Sequence, residues 1–441
     1  MRRSFSILAL LSVLVFGSGC GMLRIQPRPL TGIEQEEDYG PILKEIRVEG
    51  LGYTKEFVVL RQLASEVGKP YTEEIARQNY RNLDRLKIFS SVHFEFEPES
   101  EGGILIIHVT EVNPYTPSLK VGITDENGVS VGFGGSSANL LGLAFKANAS
   151  ANTGGQSGVK LGLANPWRPG NVLEYNIQFS WQIRDNNLDN FREDAIELNS
   201  FGLKNIGKRW RLGGFFDFFS IGSDTTGVTL NPNNRDNVPR LGVIGAYDSR
   251  DFPRNPTSGW FVIADIGKSG GFLGGPADYW RSNLDLRAFW TPRRRHTFAF
   301  FSFSTTTTGT VDVDIPVWDD FHIGGTNTVR GWTFDARKGK NQAIGTLEYR
   351  FLALEAQLVQ LAFLKMDMGI QLAAFWDAGT AWSTETRPDD NFITGAGVGI
   401  RLLMPAIDML RFDFGVGEPS VSVTVHIGSN SKAMAQRRRV R

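Results

Sequence analysis

The stretch Leu173-Glu174-Tyr175-Asn176-Ile177-Gln178-Phe179-Ser180-Trp181-Gln182-Ile183-Arg184 alternates strictly between two kinds of side chain. The set that starts at Leu173 is apolar or aromatic, and the set that starts at Glu174 is polar or charged. Because successive side chains of a strand point to opposite faces, this period of two predicts a β-strand with one apolar and one polar face. Such a strand fits a membrane barrel around a wet lumen, or a soluble sandwich whose polar face looks outward.

The same alternation recurs along most of the chain, for example in Arg281–Trp290 and Ser420–Ile427. About sixteen such runs can be placed, and each has room for a strand of roughly ten residues and a turn. No stretch after residue 20 is apolar enough for a transmembrane helix, so a membrane span could be built only from strands. We therefore predict an all-β, transmembrane, antiparallel β-barrel of about sixteen strands over residues 117–428.

Residues 1–19 predict a secretory signal peptide. Two arginines, Arg2 and Arg3, precede the apolar run Ile7–Phe16, and small residues then lead to Cys20. Cys20 is the only cysteine, and its position directly after these small residues predicts lipid attachment. The bacterial lipoprotein signal usually has Leu where this chain has Gly17. The alternative is an ordinary cleaved signal with a cysteine nearby by chance.

The segments that flank the folded parts are predicted from composition. Residues 20–40 contain two prolines and an acidic run and predict a solvated tether. Residues 429–441 form a basic C-terminal tail. The whole chain has 47 lysines and arginines against 47 aspartates and glutamates, so its charge gives no case for a nucleic-acid partner.

Residues 41–113 predict one small α/β domain with the order β-α-α-β-β. A short apolar strand, Ile42–Val48, is followed by two stretches with apolar residues at helical spacing. We expect Thr54 to cap the first helix and Thr72 to begin the second. Two apolar strands divided by Gly102-Gly103 complete the domain.

The passage Tyr80–Val92, with the sequence YRNLDRLKIFSSV, resembles the helix-to-strand passage of a POTRA domain. POTRA domains are periplasmic modules of outer-membrane assembly proteins. The resemblance, together with the element order, implies a periplasmic domain that docks client polypeptides.

The longest connection between predicted strands, residues 309–341, contains Gly324-Gly325-Thr326-Asn327-Thr328-Val329-Arg330-Gly331-Trp332. This segment resembles the VRG-aromatic signature of outer-membrane assembly factors of the BamA and TamA type. Further segments that resemble the same superfamily are Tyr247–Asp251 with Pro256–Trp260, Phe375–Gly379, and Gly395–Pro405 with Leu410–Asp413. The resemblance extends from residue 41 to about residue 428. Two departures are the single POTRA-like domain, where the family usually has several, and a last strand without a terminal aromatic residue.

The resemblance implies that this loop folds into the lumen with Val329, Arg330, Gly331 and Trp332 as the loop-plug motif. Strand parity independently places the side chains of Glu348 and Asp377 on lumenal faces. Because a forked guanidinium can bridge two carboxylates, we expect Arg330 to bind both. Without the resemblance, a solvated loop charge would be the simplest interpretation of this arginine.

No catalytic or metal site is predicted. None of the five histidines has the spacing of metal ligands. The one suggestive cluster is His322 beside Asp319 and Asp320, and we interpret it as part of a solvated loop. No nucleophile elbow or P-loop is present, so neither an enzymatic activity nor a cofactor is expected.

Three functions remain open at this point. The chain could help insert or export other polypeptides at the outer membrane, act as a passive outer-membrane pore, or be a barrel enzyme. The POTRA-like domain favours the first, through a seam between the first strand, near Leu119–Thr124, and the last, near Ser420–Ile427. The expected partners are outer-membrane lipid, client outer-membrane or secreted polypeptides, and periplasmic or envelope proteins.

Overall fold

The computed structural model describes residues 40–124, 128–165, 173–186, 191–207, 209–251, 255–333, 336–361, 364–403, 409–418 and 424–429. The predicted signal peptide, Cys20, almost all of the tether and the basic tail beyond residue 429 lie outside the described residues. Within the described part, no helix has the length and apolar character needed to cross a membrane.

The N-terminal part is a small α/β domain with the predicted element order. Its elements are β1 (Leu43–Glu49), α1 (Glu56–Leu60), α2 (Glu73–Asp84), β2 (Phe89–Glu99) and β3 (Gly102–Glu111). The sheet order is β1-β3-β2, with β1 parallel and β2 antiparallel to β3. Because β3 is the central strand, its run Ile104–Ile107 is buried.

The helices of this domain pack their apolar residues on the sheet. Helix α2 begins as predicted, because the Thr72 hydroxyl accepts a hydrogen bond from the Ile75 amide at 3.3 Å. The expected cap at Thr54 is wrong: α1 is one short turn, and its N-cap is Lys55. The buried core is Leu43, Val58, Val59, Tyr71, Leu83, Leu86, Ile88, Leu105, Ile107, Val109 and Ala144.

The described residues from 115 onward form one antiparallel sheet of sixteen strands, as predicted, and one separate pair of short strands. Neighbours in sequence are neighbours in the sheet, apart from the two short strands β15 and β16, which pair with each other. The strands are β4 (Tyr115–Thr124), β5 (Gly128–Leu140), β6 (Phe145–Gly154), β7 (Gln156–Asn165), β8 (Leu173–Asn186), β9 (Phe191–Ile206), β10 (Trp210–Ser223), β11 (Arg235–Asp248), β12 (Gly259–Gly270), β13 (Asp278–Arg293), β14 (His296–Thr307), β15 (Phe321–Ile323), β16 (Arg337–Gly339), β17 (Asn341–Leu361), β18 (Leu364–Trp382), β19 (Ile393–Leu403), β20 (Leu410–Val416) and β21 (Thr424–Ser429).

The two faces of this sheet decide between a sandwich and a membrane barrel. In β8 the apolar Trp181 is 41% exposed, whereas its polar neighbour Gln182 is 3% exposed and Arg184 is 5% exposed. A soluble sandwich buries its apolar face, so this arrangement is the reverse of one. Apolar side chains outside and polar side chains inside are the pattern of a transmembrane β-barrel.

The small domain touches the barrel at the turn between β5 and β6. The Asn139 side-chain amide donates a hydrogen bond to the Thr54 hydroxyl at 2.8 Å. The Lys55 amide donates to the Gly142 carbonyl at 3.0 Å. Ala144 from the same turn lies in the domain core. The domain is therefore fixed at one end of the barrel, opposite the end that carries the connection from β14 to β17.

Candidate functional site: the loop inside the barrel

The connection between β14 and β17 folds into the lumen. Its tip is tightly turned, since Gly324, Gly325 and Gly331 have φ angles of 121°, 82° and 96°. At Gly331 a Cβ would lie only 2.5 Å from the Val416 carbonyl carbon. Glycine is therefore required where the loop passes the end of β20. Glu418 then continues the contact, because its amide donates to the Gly331 carbonyl at 2.9 Å.

Arg330 is fully buried and makes a forked contact with Asp377 on β18. Its Nε donates to Asp377 Oδ2 at 2.7 Å, and its Nη2 donates to Asp377 Oδ1 at 2.9 Å. The Arg330 backbone amide also donates to Asp377 Oδ2, at 3.0 Å. This geometry is the bidentate pairing for which a planar guanidinium is suited.

Two more carboxylates complete the surroundings of the guanidinium. Nη1 of Arg330 donates to Asp413 Oδ2 on β20 at 2.8 Å and to Glu348 Oε2 on β17 at 3.3 Å. The guanidinium carbon of Arg330 lies over the Phe375 ring, 3.4 Å from the ring centroid. We call Glu348, Asp377 and Asp413 the carboxylate cage.

The cage is held in turn by groups on the barrel wall. Arg350 Nε donates to Glu348 Oε1 at 2.8 Å, and Arg401 Nη2 donates to Glu348 Oε2 at 2.9 Å. Arg401 also pairs with Asp413, and the Thr346 hydroxyl donates to Asp377 Oδ1 at 2.7 Å. These side chains hold the carboxylates in the positions that Arg330 contacts. Loss of one partner from a buried ion pair typically costs ~3–5 kcal/mol of stability.

The structure therefore brings Arg330 together with both predicted partners, Glu348 and Asp377. The other motif residues fix the loop: Val329 packs in an apolar cluster with Ile323 and Ile344, and Trp332 Nε1 donates to the Thr394 carbonyl at 2.7 Å. Asp413 is a partner that the sequence reasoning missed. The available signal was the parity of β20, where Asp413 alternates with apolar residues.

The interpretation of Asp319 and Asp320 as part of a solvated loop is wrong. Asp319 is 8% exposed and Asp320 is 5% exposed, and His322 is half-buried. Burial raises the pKa of the Asp320 carboxyl to about 6; Lys338 opposes this shift and Asp319 adds to it. Across the described ranges, no group of three or more potential ligand side chains could hold a metal ion.

Comparison with known proteins identifies the family. The model of the Omp85 superfamily domain matches residues 139–421, which is more than half of the chain. The chain belongs to the Omp85 superfamily.

Relatives by sequence are outer-membrane assembly factors that are longer than this chain. Outer membrane protein assembly factor BamA from Nitratidesulfovibrio vulgaris is 24% identical over 393 residues, which cover 85% of this chain and 48% of that protein. A putative outer membrane protein assembly factor from Treponema pallidum is 22% identical over 288 residues, which cover 53% of this chain and 34% of that protein. The chain thus spans half or less of the length of these relatives.

Two solved structures share the fold of this chain. BamA from Haemophilus ducreyi lacking POTRA domains 1–3 has a TM-score of 0.55 at 13% identity, covering 88% of this chain and 83% of that one. CdiB from Escherichia coli has a TM-score of 0.59 at 15% identity, covering 88% of this chain and 75% of that one. The protein is an outer-membrane β-barrel with a small N-terminal α/β domain.

Proposed function

We propose that this protein helps client outer-membrane or secreted polypeptides enter or cross the outer membrane through the seam between β4 and β21. The observation that carries the proposal is the lumen itself, which holds a long loop fixed at Arg330 in the carboxylate cage. A client path that does not use this occupied lumen must use the wall. The similarity of this chain to BamA proteins, one of which is named as an outer membrane protein assembly factor, supports an assembly role.

The seam lies between the two end strands of the sheet, β4 and β21. The described part of β21 has 6 residues and its neighbour β20 has 7, so the strands on this side of the seam are short. Each ladder hydrogen bond contributes about 0.5–1.5 kcal/mol net, so a seam with few paired residues is weakly held. An opened edge presents backbone groups with which a client strand can pair. Residues 419–423 of the predicted last strand lie outside the described residues.

The POTRA-like domain would present clients to this seam. Its β2 is an edge strand, since the sheet order is β1-β3-β2. An extended segment can add to such an edge through main-chain hydrogen bonds. Periplasmic or other envelope proteins could bind the same edge, so we propose them as the second class of partner.

The two alternative functions receive less support. A passive pore is disfavoured, because Arg330 and the carboxylate cage fix the loop in the channel. A barrel enzyme would need a nucleophile with its base, or a pair of catalytic carboxylates. The buried carboxylates of the cage accept hydrogen bonds from arginines, which suits a structural role. We therefore propose no enzymatic activity and no cofactor.

A seam-locking experiment tests the proposal. Cysteine pairs are scanned between Leu119–Thr124 and Thr424–Ile427 in a Cys20→Ser background, and the pair that crosslinks is assayed for assembly of a client barrel in native outer membranes. We expect the locked seam to stop client assembly and reduction to restore it. The matched control is a disulfide between Phe179 and Leu198, which are register partners on β8 and β9. If the seam lock and the control both leave assembly unchanged, the proposed function is wrong.

A further inference from the structure

A second part of the loop is held by a different set of strands of the barrel wall. Asp319 lies at the end of the short 3-10 helix Val317–Asp319, ahead of the motif. Its Oδ2 accepts a hydrogen bond from Arg240 Nη2 on β11 at 3.0 Å, and its Oδ1 accepts one from Arg281 Nη1 on β13 at 3.0 Å. Arg281 Nη2 also donates to the Asp319 backbone carbonyl at 3.1 Å, and the Tyr279 hydroxyl donates to Oδ2.

The wall side of this contact is built independently of the loop. Both arginines are buried, and each is oriented by a wall hydroxyl: Arg240 Nε donates to Ser269 Oγ at 2.7 Å, and Arg281 Nε donates to Thr307 Oγ1 at 3.0 Å. Asp319 is the carboxylate with which both cations pair. Withdrawal of the loop would therefore remove a counter-charge from two buried guanidinium groups, which is costly.

Apolar contacts fix the same segment. Trp318 packs on Phe219 of β10 with ring centroids 6.0 Å apart, and its Nε1 donates to Asp236 Oδ2 at 2.8 Å. Ile315 is fully buried in the same cluster as Tyr279. The first part of the loop is thus bound to β10, β11 and β13, whereas Arg330 is bound to β17, β18 and β20.

We propose that Asp319 is a second anchor that positions the loop, so that Arg330 remains in the carboxylate cage. Asp319 precedes Arg330 by eleven positions, and β15 lies between them. Two linked contacts hold better than either alone, because each keeps the other at a high effective concentration. The value of this anchor for client assembly rests on the proposed function, whereas the anchoring itself does not.

The test measures how often the loop leaves the lumen. Ile323 is fully buried in β15 between the two anchors, so we place a single probe there as Ile323→Cys in a Cys20→Ser background. The measurement is the rate of its reaction with a polyethylene glycol maleimide in native outer membranes. We expect Asp319→Asn to raise this rate at least tenfold and Asp319→Glu to raise it less. Arg281→Gln added to Asp319→Asn should give little further increase, because both variants break the same contact.

The matched control is Asp285→Asn. Asp285 is even more buried than Asp319 and accepts two hydrogen bonds from Arg287, at 3.0 and 2.9 Å, but Asp285 and Arg287 both belong to the wall strand β13. We expect the control to leave the rate unchanged even where it lowers the unfolding temperature. Equal rates in Asp319→Asn and Asp285→Asn, at any level, overturn the proposal. The labelling rate involves no client, so a failure of the proposed function leaves this result interpretable.

Discussion

Arg330 satisfies three carboxylates through the shape of one side chain. The edge formed by Nε and Nη2 faces Asp377, and Nη1 faces Asp413 and Glu348. A lysine would bring the same charge to one point and could not reproduce the fork. The requirement at this position is therefore geometric as well as electrostatic.

We expect Arg330→Lys to destabilise the folded barrel by about 3–5 kcal/mol, close to the cost of breaking a buried pair. The measurement is the temperature at which the folded band disappears in cold-loaded SDS gels. Asp377→Asn should have a similar effect, and the double variant should cost less than the sum of the two, because both remove one contact. Wild-type behaviour of Arg330→Lys would contradict the geometric interpretation.

A second prediction concerns Asp320, which lies in the loop outside the barrel strands. Burial raises the pKa of its carboxyl from 3.8 to about 6. Its contribution to stability is therefore fully present below pH 3.8 and is lost as the pH rises through 6. We expect Asp320→Asn to slow labelling of Ile323→Cys at pH 7. After the rate is divided by that of an exposed cysteine at the same pH, which removes the titration of the thiol itself, the variant should lose the pH dependence between pH 4 and 6. The exposed Asp389→Asn is the control, and an unchanged pH profile in Asp320→Asn would refute this prediction.

Strand parity explains which of these residues could be found in the sequence. Glu348 and Asp377 lie in long alternating strands, so parity alone placed them on the lumenal face. Asp319 lies in an irregular loop, where no period applies, and its partners Arg240 and Arg281 are 79 and 38 positions away. Contacts of this kind depend on how the barrel closes, which local pattern does not encode.

At the scale of secondary-structure elements, the segment before α1 differs from what the sequence predicted. Local capping rules favoured Thr54 as a cap, but its hydroxyl accepts from Asn139 of the barrel turn instead. The amides of this segment are bound by Glu111, which accepts from Gly52 at 3.1 Å, Tyr53 at 2.8 Å and Thr54 at 2.7 Å. The Thr54 hydroxyl thus makes a contact with the barrel in place of a local helix cap.

Glu111 makes the structure of the segment 52–54 sensitive to acid. Partial burial acts to raise the pKa of its carboxyl, but the hydrogen bonds from Thr54, Tyr53 and Gly52 lower it overall below the ordinary 4.5. Its stabilising effect is therefore present above pH 4.5 and is lost as the pH falls through the lowered value.

We expect Glu111→Gln to speed hydrogen exchange of the amides at residues 52–54 at pH 7, since a carboxylate accepts charge-assisted bonds that an amide does not. In the wild type, lowering the pH below 4.5 should have the same effect on opening once intrinsic exchange rates are corrected. The control is Glu101→Gln, in the exposed turn between β2 and β3. Equal protection of these amides in Glu111→Gln and in the wild type would contradict the proposed role of Glu111.

At the scale of the whole molecule, the alternation of apolar and polar residues was enough to predict most of the fold. It predicted sixteen strands because each strand has a lipid side and a lumen side, a constraint that repeats along the chain. It did not distinguish a barrel from a sandwich, since both alternate. That distinction came from which face is buried, as at Trp181 and Gln182.

The attachment of the molecule to the membrane yields the last prediction. We propose that Cys20 becomes the lipidated N-terminal residue of the mature protein, because it follows small residues and is the only cysteine. Sixteen strands already hold the protein in the bilayer, so acyl chains would add little to retention and would instead fix where the tether starts. Cys20→Ser should therefore remain in the membrane fraction while its N-terminal peptide loses the acyl mass seen in the wild type by mass spectrometry. A wild-type N-terminus that begins elsewhere, or an unmodified Cys20, would refute lipidation, and release of Cys20→Ser from the membrane would refute the positioning role.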